Sequence, residues 1–97
     1  MLFAIVAEDK PGALELRLAT RPTHLEYLDS QVEKLVQAGP VLDAEGKPCG
    51  SVLIVEAEDQ AAAEAFAAAD PYAQAGLFAR TTIRPFRQVY AGGQRLG

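Results

Sequence analysis

The sequence predicts an α+β domain whose elements run in the order β-α-β-β-α-β. Three features carry that prediction. An unbroken apolar run occupies residues 2–7, a helical stripe of leucines and valines follows residue 22, and a turn at Glu45-Gly46-Lys47-Pro48 separates two short β-type segments.

In residues 2–7 both alternate sets of side chains are apolar, so the strand wants cover on both faces and a central place in its sheet. Lys10-Pro11-Gly12 ends it. Residues 13–19 read two ways: Leu14, Leu16 and Leu18 alternate as in a strand, yet Leu14 and Leu18 also share a helical face, giving a short helix or an irregular lead-in. The main helix is predicted over 22–38, with Leu25, Leu28, Val32, Leu35 and Val36 on one stripe. Thr23 with Glu26 matches a capping box, while Thr20 with Pro22 just inside is a competing start. Gly39-Pro40 is read as its end.

Residues 41–44 form a short strand and 51–57 the return strand of a hairpin, with Leu53 and Val55 facing one way and Val52 and Ile54 the other. Asp59 caps a second helix, 60–69, rich in alanine and anchored by Phe66. Asp70-Pro71 opens another short turn of helix that stops at Gly76. The last strand spans 77–90, bent or bulged at Pro85, and the tail 92–97 is expected to fray. The chain shows no repeat or linker, so 1–97 reads as one domain. This order is the split βαβ, or ferredoxin-like, arrangement, with an antiparallel sheet carrying its helices on one face. The doubly apolar first strand then leaves a greasy helix-free face. A second copy packed sheet to sheet would cover it, and a homodimer is expected.

At 97 residues, 49% apolar and 23% charged, the composition is that of an ordinary globular domain. Nine basic against thirteen acidic side chains give a net charge of −4, which argues against nucleic acid or anionic membrane as a partner. Cys49 is the only cysteine and reads as a small residue at a turn-to-strand junction. It permits no internal disulfide, and one Cys with one His lacks the clustered spacing of a metal site. The run 2–7 is too short to span a bilayer and has no basic segment before it, so no secretory signal is read and the cytoplasm is expected.

His24 is the only histidine, and both its protonation states are accessible near neutral pH, which suits a proton carrier. The plain alternative is an exposed histidine at a helix start. Asp70 before Pro71 has a strong structural role as an N-cap, and the same bonds would keep it ionised and able to orient an imidazole. Arg21, Ser51, Tyr72 and Arg80 are secondary candidates for binding a substrate. Arg21 suits an anionic group, Tyr72 can donate a phenolic proton, Ser51 follows Gly50 without a nucleophile elbow around it, and Arg80 belongs with Arg84 and Arg87 to a basic strand that reads as a solvated edge.

Taken together, Arg21-x-x-His24 at the long helix, Gly39-Pro40 after it, Gly50-Ser51 at the third strand and Asp70-Pro71-Tyr72 behind the second helix form a pattern. It resembles the YciI-like (YCII-related) family of small dimeric α+β barrel proteins, from Leu2 to about Tyr90. The resemblance implies a ferredoxin-like subunit, two sheets packed into a barrel with a cleft on each subunit, and a His–Asp active site falling on His24 and Asp70. It also implies proton transfer on small ring compounds, by isomerisation or elimination. The stretch 13–19 looks longer than the shortest members need, and a subfamily lid or loop is expected there. The leading expectation is a cofactor-free enzyme with His24 as base and Asp70 as its orienting partner. The alternative is a non-catalytic module that binds a small molecule or joins an assembly through the same cleft, with Asp70 as a cap only. An RNA-binding module would need paired aromatics on the central strands and basic charge, and the chain has neither.

Overall fold

Strand β1 (Leu2–Asp9) lies inside its sheet, between β3 (Pro48–Glu56) and β4 (Phe78–Phe86), and β2 (Leu35–Leu42) forms the edge beyond β3. All three pairings are antiparallel, and the order is β2-β3-β1-β4. A computed structural model describes residues 1–97. The helices are α1 (Leu14–Ser30), α2 (Gln60–Ala69) and the single turn α3 (Pro71–Gln74).

Alternation along the central strands sets the core. Phe3 and Ile5 of β1 and Leu53 and Val55 of β3 point to one face, where Leu28, Ala63 and Phe66 from the helices cover them. Burying each of the large side chains contributes about 1.5–3 kcal/mol. Ala63 is fully buried, so the alanine-rich α2 uses its small side chains to bring its backbone close to the sheet. Asp59 caps α2 by accepting from the Ala62 N–H at 2.8 Å. The opposite face carries no helix. There Val6, Val41, Val52 and Phe86 are exposed, with Ile54 half-buried among them. No helix is long and apolar enough to cross a membrane.

Several boundaries differ from those the sequence suggests: β3 starts at Pro48 instead of 51, β4 ends at Phe86 instead of 90, and the long helix and β2 shift further. The long helix runs over Leu14–Ser30, not 22–38, so 13–19 is neither a lid nor a loop but supplies its first turns. Pro22 lies inside this helix on an exposed position and neither Thr20 nor Thr23 caps it. Leu35 and Val36 belong to β2: the open edge of β3 offers Leu35 a partner in Val55, and Val36 sits at a bulge before the pairing resumes at Gln37. Gly39-Pro40 therefore sits within a strand. Pro40 is tolerated there because β2 is an edge, and Pro85 likewise falls on the other edge strand, β4. The irregularity of β4 is not at Pro85, which pairs in register with Phe3, but at the Glu8/Asp9 end of β1. The tail, expected to fray, carries a small hairpin. Tyr90–Ala91 (β5) and Gln94–Arg95 (β6) pair across Gly92-Gly93, whose φ values of 58° and 79° are those a tight two-residue turn requires.

In the β2–β3 turn the Asp43 carboxylate accepts from the Lys47 and Glu45 N–H groups, which holds it below its ordinary value. Its contribution to loop order is present above the unfolded carboxyl pKa and is lost as pH falls through the lowered folded one.

Gly50 faces Glu8 where β3 passes β1, and a Cβ there would stand 2.6 Å from the Ala7 carbonyl oxygen. Gly50→Ala is therefore expected to cost about 1–3 kcal/mol as the strands are forced apart. For a domain of this size that is a fall in thermal midpoint of at least about 4 °C. An unchanged midpoint would contradict the close approach.

Candidate active site

Helix α1 turns an unusual stripe toward the sheet. Arg17, Arg21, His24 and Leu28 recur at intervals of four, three and four residues, the spacing of a single helical face, and of these Arg17, His24 and Leu28 are buried. Two polar residues thus occupy core-facing positions. Such groups are stable there only if each finds a partner.

His24 finds Asp70. Its Nδ1 lies 2.8 Å from Asp70 Oδ1, and both side chains are nearly enclosed. The same oxygen accepts from the Tyr72 N–H at 2.9 Å, so Asp70 caps α3 and binds the imidazole at once. With Asp70 ionised the carboxylate can only accept, which puts the hydrogen on Nδ1 and, in the neutral ring, leaves the lone pair on Nε2. No buried side-chain nitrogen or oxygen lacks a partner, so Nε2, which has none within the protein, opens to accessible space.

Arg17 is held by Asp9 at the end of β1. Its Nε donates to Asp9 Oδ2 at 2.6 Å, and its Nη2 to Asp9 Oδ1 at 3.0 Å and to Ser51 Oγ at 2.8 Å. Burial works against the guanidinium charge, but Asp9 together with Tyr72 more than offsets it and the Arg17 pKa rises. The Arg17 guanidinium carbon stands 4.5 Å from the centre of the Tyr72 ring, which stacks on His24 at 4.0 Å with 18° between the planes. Residues 17 and 24 are about 10 Å apart along the helix axis. The phenol ring fills that interval, giving a guanidinium–phenol–imidazole stack flanked by two carboxylates. Burial also pushes the Tyr72 phenol above its ordinary value, against the pull of Arg17 and Arg21, so it stays a neutral donor.

These groups line one side of a cavity of about 250 Å³, between α1 and the strands β2 and β3. Arg17, Arg21, His24, Ser51 and Tyr72 supply its polar wall, while leucines of α1 and the Ala38-Gly39-Pro40 segment supply its apolar one. Asp70 stands directly behind His24. Of the sequence candidates, five therefore gather: His24, Asp70, Arg21, Ser51 and Tyr72. Arg80 does not join them. It lies exposed on β4 and pairs with Glu8, its Nε 2.7 Å from Glu8 Oε2, outside the cavity. Cys49 is exposed and apart from the cavity wall. No group of three or more His, Cys, Asp or Glu side chains gathers in a way that could hold a metal ion.

Sequence reasoning misses Arg17 and Asp9. Arg17 sits in the ambiguous 13–19 segment and Asp9 looks like a solvated strand end. The available signal is the seven-residue interval from Arg17 to His24, which places both on one helical face once the helix is started early enough.

The family model of the YCII-related domain matches residues 1–87. Protein YciI of Escherichia coli O6:H1 is 38% identical over 98 residues, covering 93% of this chain and 100% of the relative. An uncharacterised protein of Haemophilus influenzae is 40% identical with the same coverage. Among solved structures, the 5-chloro-2-hydroxyhydroquinone dehydrochlorinase of Burkholderia phenoliruptrix AC1100, in complex with 2,5-dihydroxybenzoquinone, superposes with a TM-score of 0.85 at 37% identity, over 90% of this chain and 94% of that one. An antibiotic biosynthesis monooxygenase, 21% identical with a TM-score of 0.55 over 93% of this chain and 100% of its own, shares the fold alone. The architecture is accordingly that of the ferredoxin-like dimeric α+β barrel proteins. The chain belongs to the YCII-related, or YciI-like, family.

Proposed function

We propose that the chain is a small cofactor-free enzyme in which His24, oriented by Asp70, moves a proton on a small activated ring compound and so drives isomerisation or elimination. The observation that carries this reading is the buried 2.8 Å bond from His24 to Asp70, with the free Nε2 turned to accessible space beside the cavity. Nε2 takes a proton from an activated carbon or hydroxyl, and the Asp70 carboxylate stabilises the imidazolium that results. The electron pair left behind moves into the ring, where the Tyr72 and Ser51 hydroxyls and the two guanidinium groups can steady charge on an oxygen. Return of the proton at another position completes an isomerisation. Departure of a leaving group with the electron pair completes an elimination, with the proton passed on to solvent. Likeness at 37% identity to a dehydrochlorinase favours elimination. A dyad of this kind supplies limited driving force, which is why the substrate must already be activated.

The test is chloride release from 5-chloro-2-hydroxyhydroquinone by the purified chain, run beside deuterium incorporation from heavy water into non-chlorinated hydroxylated rings. Catalysis above the buffer rate in either assay is expected. Silence in both would leave the binding-module reading, with Asp70 as a cap only.

The same reading includes a homodimer in the cytoplasm, the helix-free faces of two copies packed together to cover Val6, Val52, Ile54 and Phe86. Val52→Asp puts a charge at the centre of that face without touching the core beneath the helices. It is expected to halve the sedimenting mass while leaving the circular dichroism spectrum intact. A wild-type monomer, or a Val52→Asp dimer, would contradict it.

A further inference from the structure

The polar wall of the cavity is one-sided. Its polar side chains are two guanidinium groups, two hydroxyls and His24, and no Asp, Glu, Asn or Gln reaches it. Ser51 Oγ already accepts from Arg17, so its hydrogen is free to be donated into the cavity. Tyr72 remains a protonated donor. Each hydroxyl oxygen keeps a lone pair as well as its hydrogen, so His24 Nε2 is the one polar side-chain atom of the wall that can accept but not donate when the ring is neutral. Arg17 is neutralised by Asp9, whereas Arg21 is exposed at the mouth and has no carboxylate in ion-pair reach. This happens in a chain of net charge −4, so the positive cavity is a local construction and not a consequence of overall charge. The volume of about 250 Å³ lies below the roughly 300–1,000 Å³ of sites for drug-sized ligands, and suits one substituted ring.

We propose that the cavity takes its substrate as a preformed oxyanion, a single ring bearing an ionised hydroxyl or a carboxylate, with Arg21 as the residue that selects the charge. This rests on the functional reading above only in placing the anion beside His24. Arg21 meets the charged oxygen at the mouth, and the Tyr72 and Ser51 hydroxyls add donors deeper in. A neutral ring of the same shape leaves these donors facing an uncharged group and forgoes the charge-assisted bonds.

Three probes test this without turnover: 4-nitrophenol above the pH of its ionisation, 4-nitrobenzoate, and the neutral ether 4-nitroanisole. At least one anion is expected to bind about tenfold or more tightly than the ether, the size of one charge-assisted hydrogen bond. Which anion wins distinguishes a ring hydroxylate from a carboxylate. Arg21→Gln should bring anion and ether to within about twofold, and Arg21→Lys should retain most of the preference, with the thermal midpoint unmoved because Arg21 is exposed and unpaired. His24→Asn should keep the preference, so loss of catalysis and loss of anion selection are separate results. Binding of the ether as tightly as both anions, no binding of either anion, or a preference that survives Arg21→Gln would overturn the proposal.

Discussion

His24→Asn is expected to lower turnover by about 10²–10⁴-fold, the usual contribution of a positioned general base, while the chain keeps its fold and oligomeric state. The comparison with Asp70 makes the test specific. Asp70→Asn preserves an N-cap of equal quality, since asparagine caps as well as aspartate. It removes the negative charge that favours the imidazolium. Stability should then move little while the rate falls. Asp70→Ala removes both roles and should add a loss of about 1 kcal/mol for the missing cap. If Asp70→Asn turns over at the wild-type rate, the carboxylate is a cap and the His–Asp mechanism fails even though the hydrogen bond exists. The readout is the rate of chloride release or deuterium exchange, with the thermal midpoint followed in parallel.

The second large effect concerns stability. Arg17 and Asp9 are almost completely enclosed, at 4% and 6% side-chain exposure, and their bonds tie the first turns of α1 to the end of β1. Removing one partner leaves the other as an uncompensated buried charge, at a cost of about 3–5 kcal/mol. Asp9→Leu and Arg17→Met should each lower the thermal midpoint by roughly 12 °C or more, measured at one fixed protein concentration. The double variant should recover much of that loss, because two apolar side chains need no pairing. Recovery of stability without recovery of catalysis would separate the two roles of Arg17, as a tie between elements and as a wall of the cavity beside Tyr72. A double variant no more stable than its parents would show that the pair is not what holds this corner together.

How much of this was legible from the residues differs from place to place. The doubly apolar first strand led directly to a central position, and α2 with its Asp59 cap was readable to the residue, because propensity, capping and packing agree there. The long helix lies elsewhere than its apolar pattern suggests, for a physical reason. Its inward stripe carries Arg17 and His24, so a reading that aligns the helix by leucines and valines drifts toward residues 32–36, of which Val32 belongs to a short 3₁₀ turn and Leu35 and Val36 to β2. Gly39-Pro40 points the same way, since a helix stop and an edge strand can use the same two residues. The candidates His24 and Asp70 were visible as chemistry-bearing types at suggestive positions, but their contact spans 46 residues and is closed only by the tertiary fold. The Asp9–Arg17 pair was invisible for the same cause: nothing local distinguishes a carboxylate at a strand end in solvent from one that neutralises a buried guanidinium.

The proposed mechanism requires Asp70 to fix the His24 imidazole with its hydrogen on Nδ1, leaving Nε2 as the free base. With one histidine in the chain, ¹⁵N labelling gives a pair of imidazole signals that belong to His24 alone. At a pH where the ring is neutral, Nδ1 is expected at the shift of a protonated ring nitrogen and Nε2 at the shift of a bare one, with Asp70→Asn weakening that difference. Two averaged shifts, or a hydrogen residing on Nε2, would contradict it.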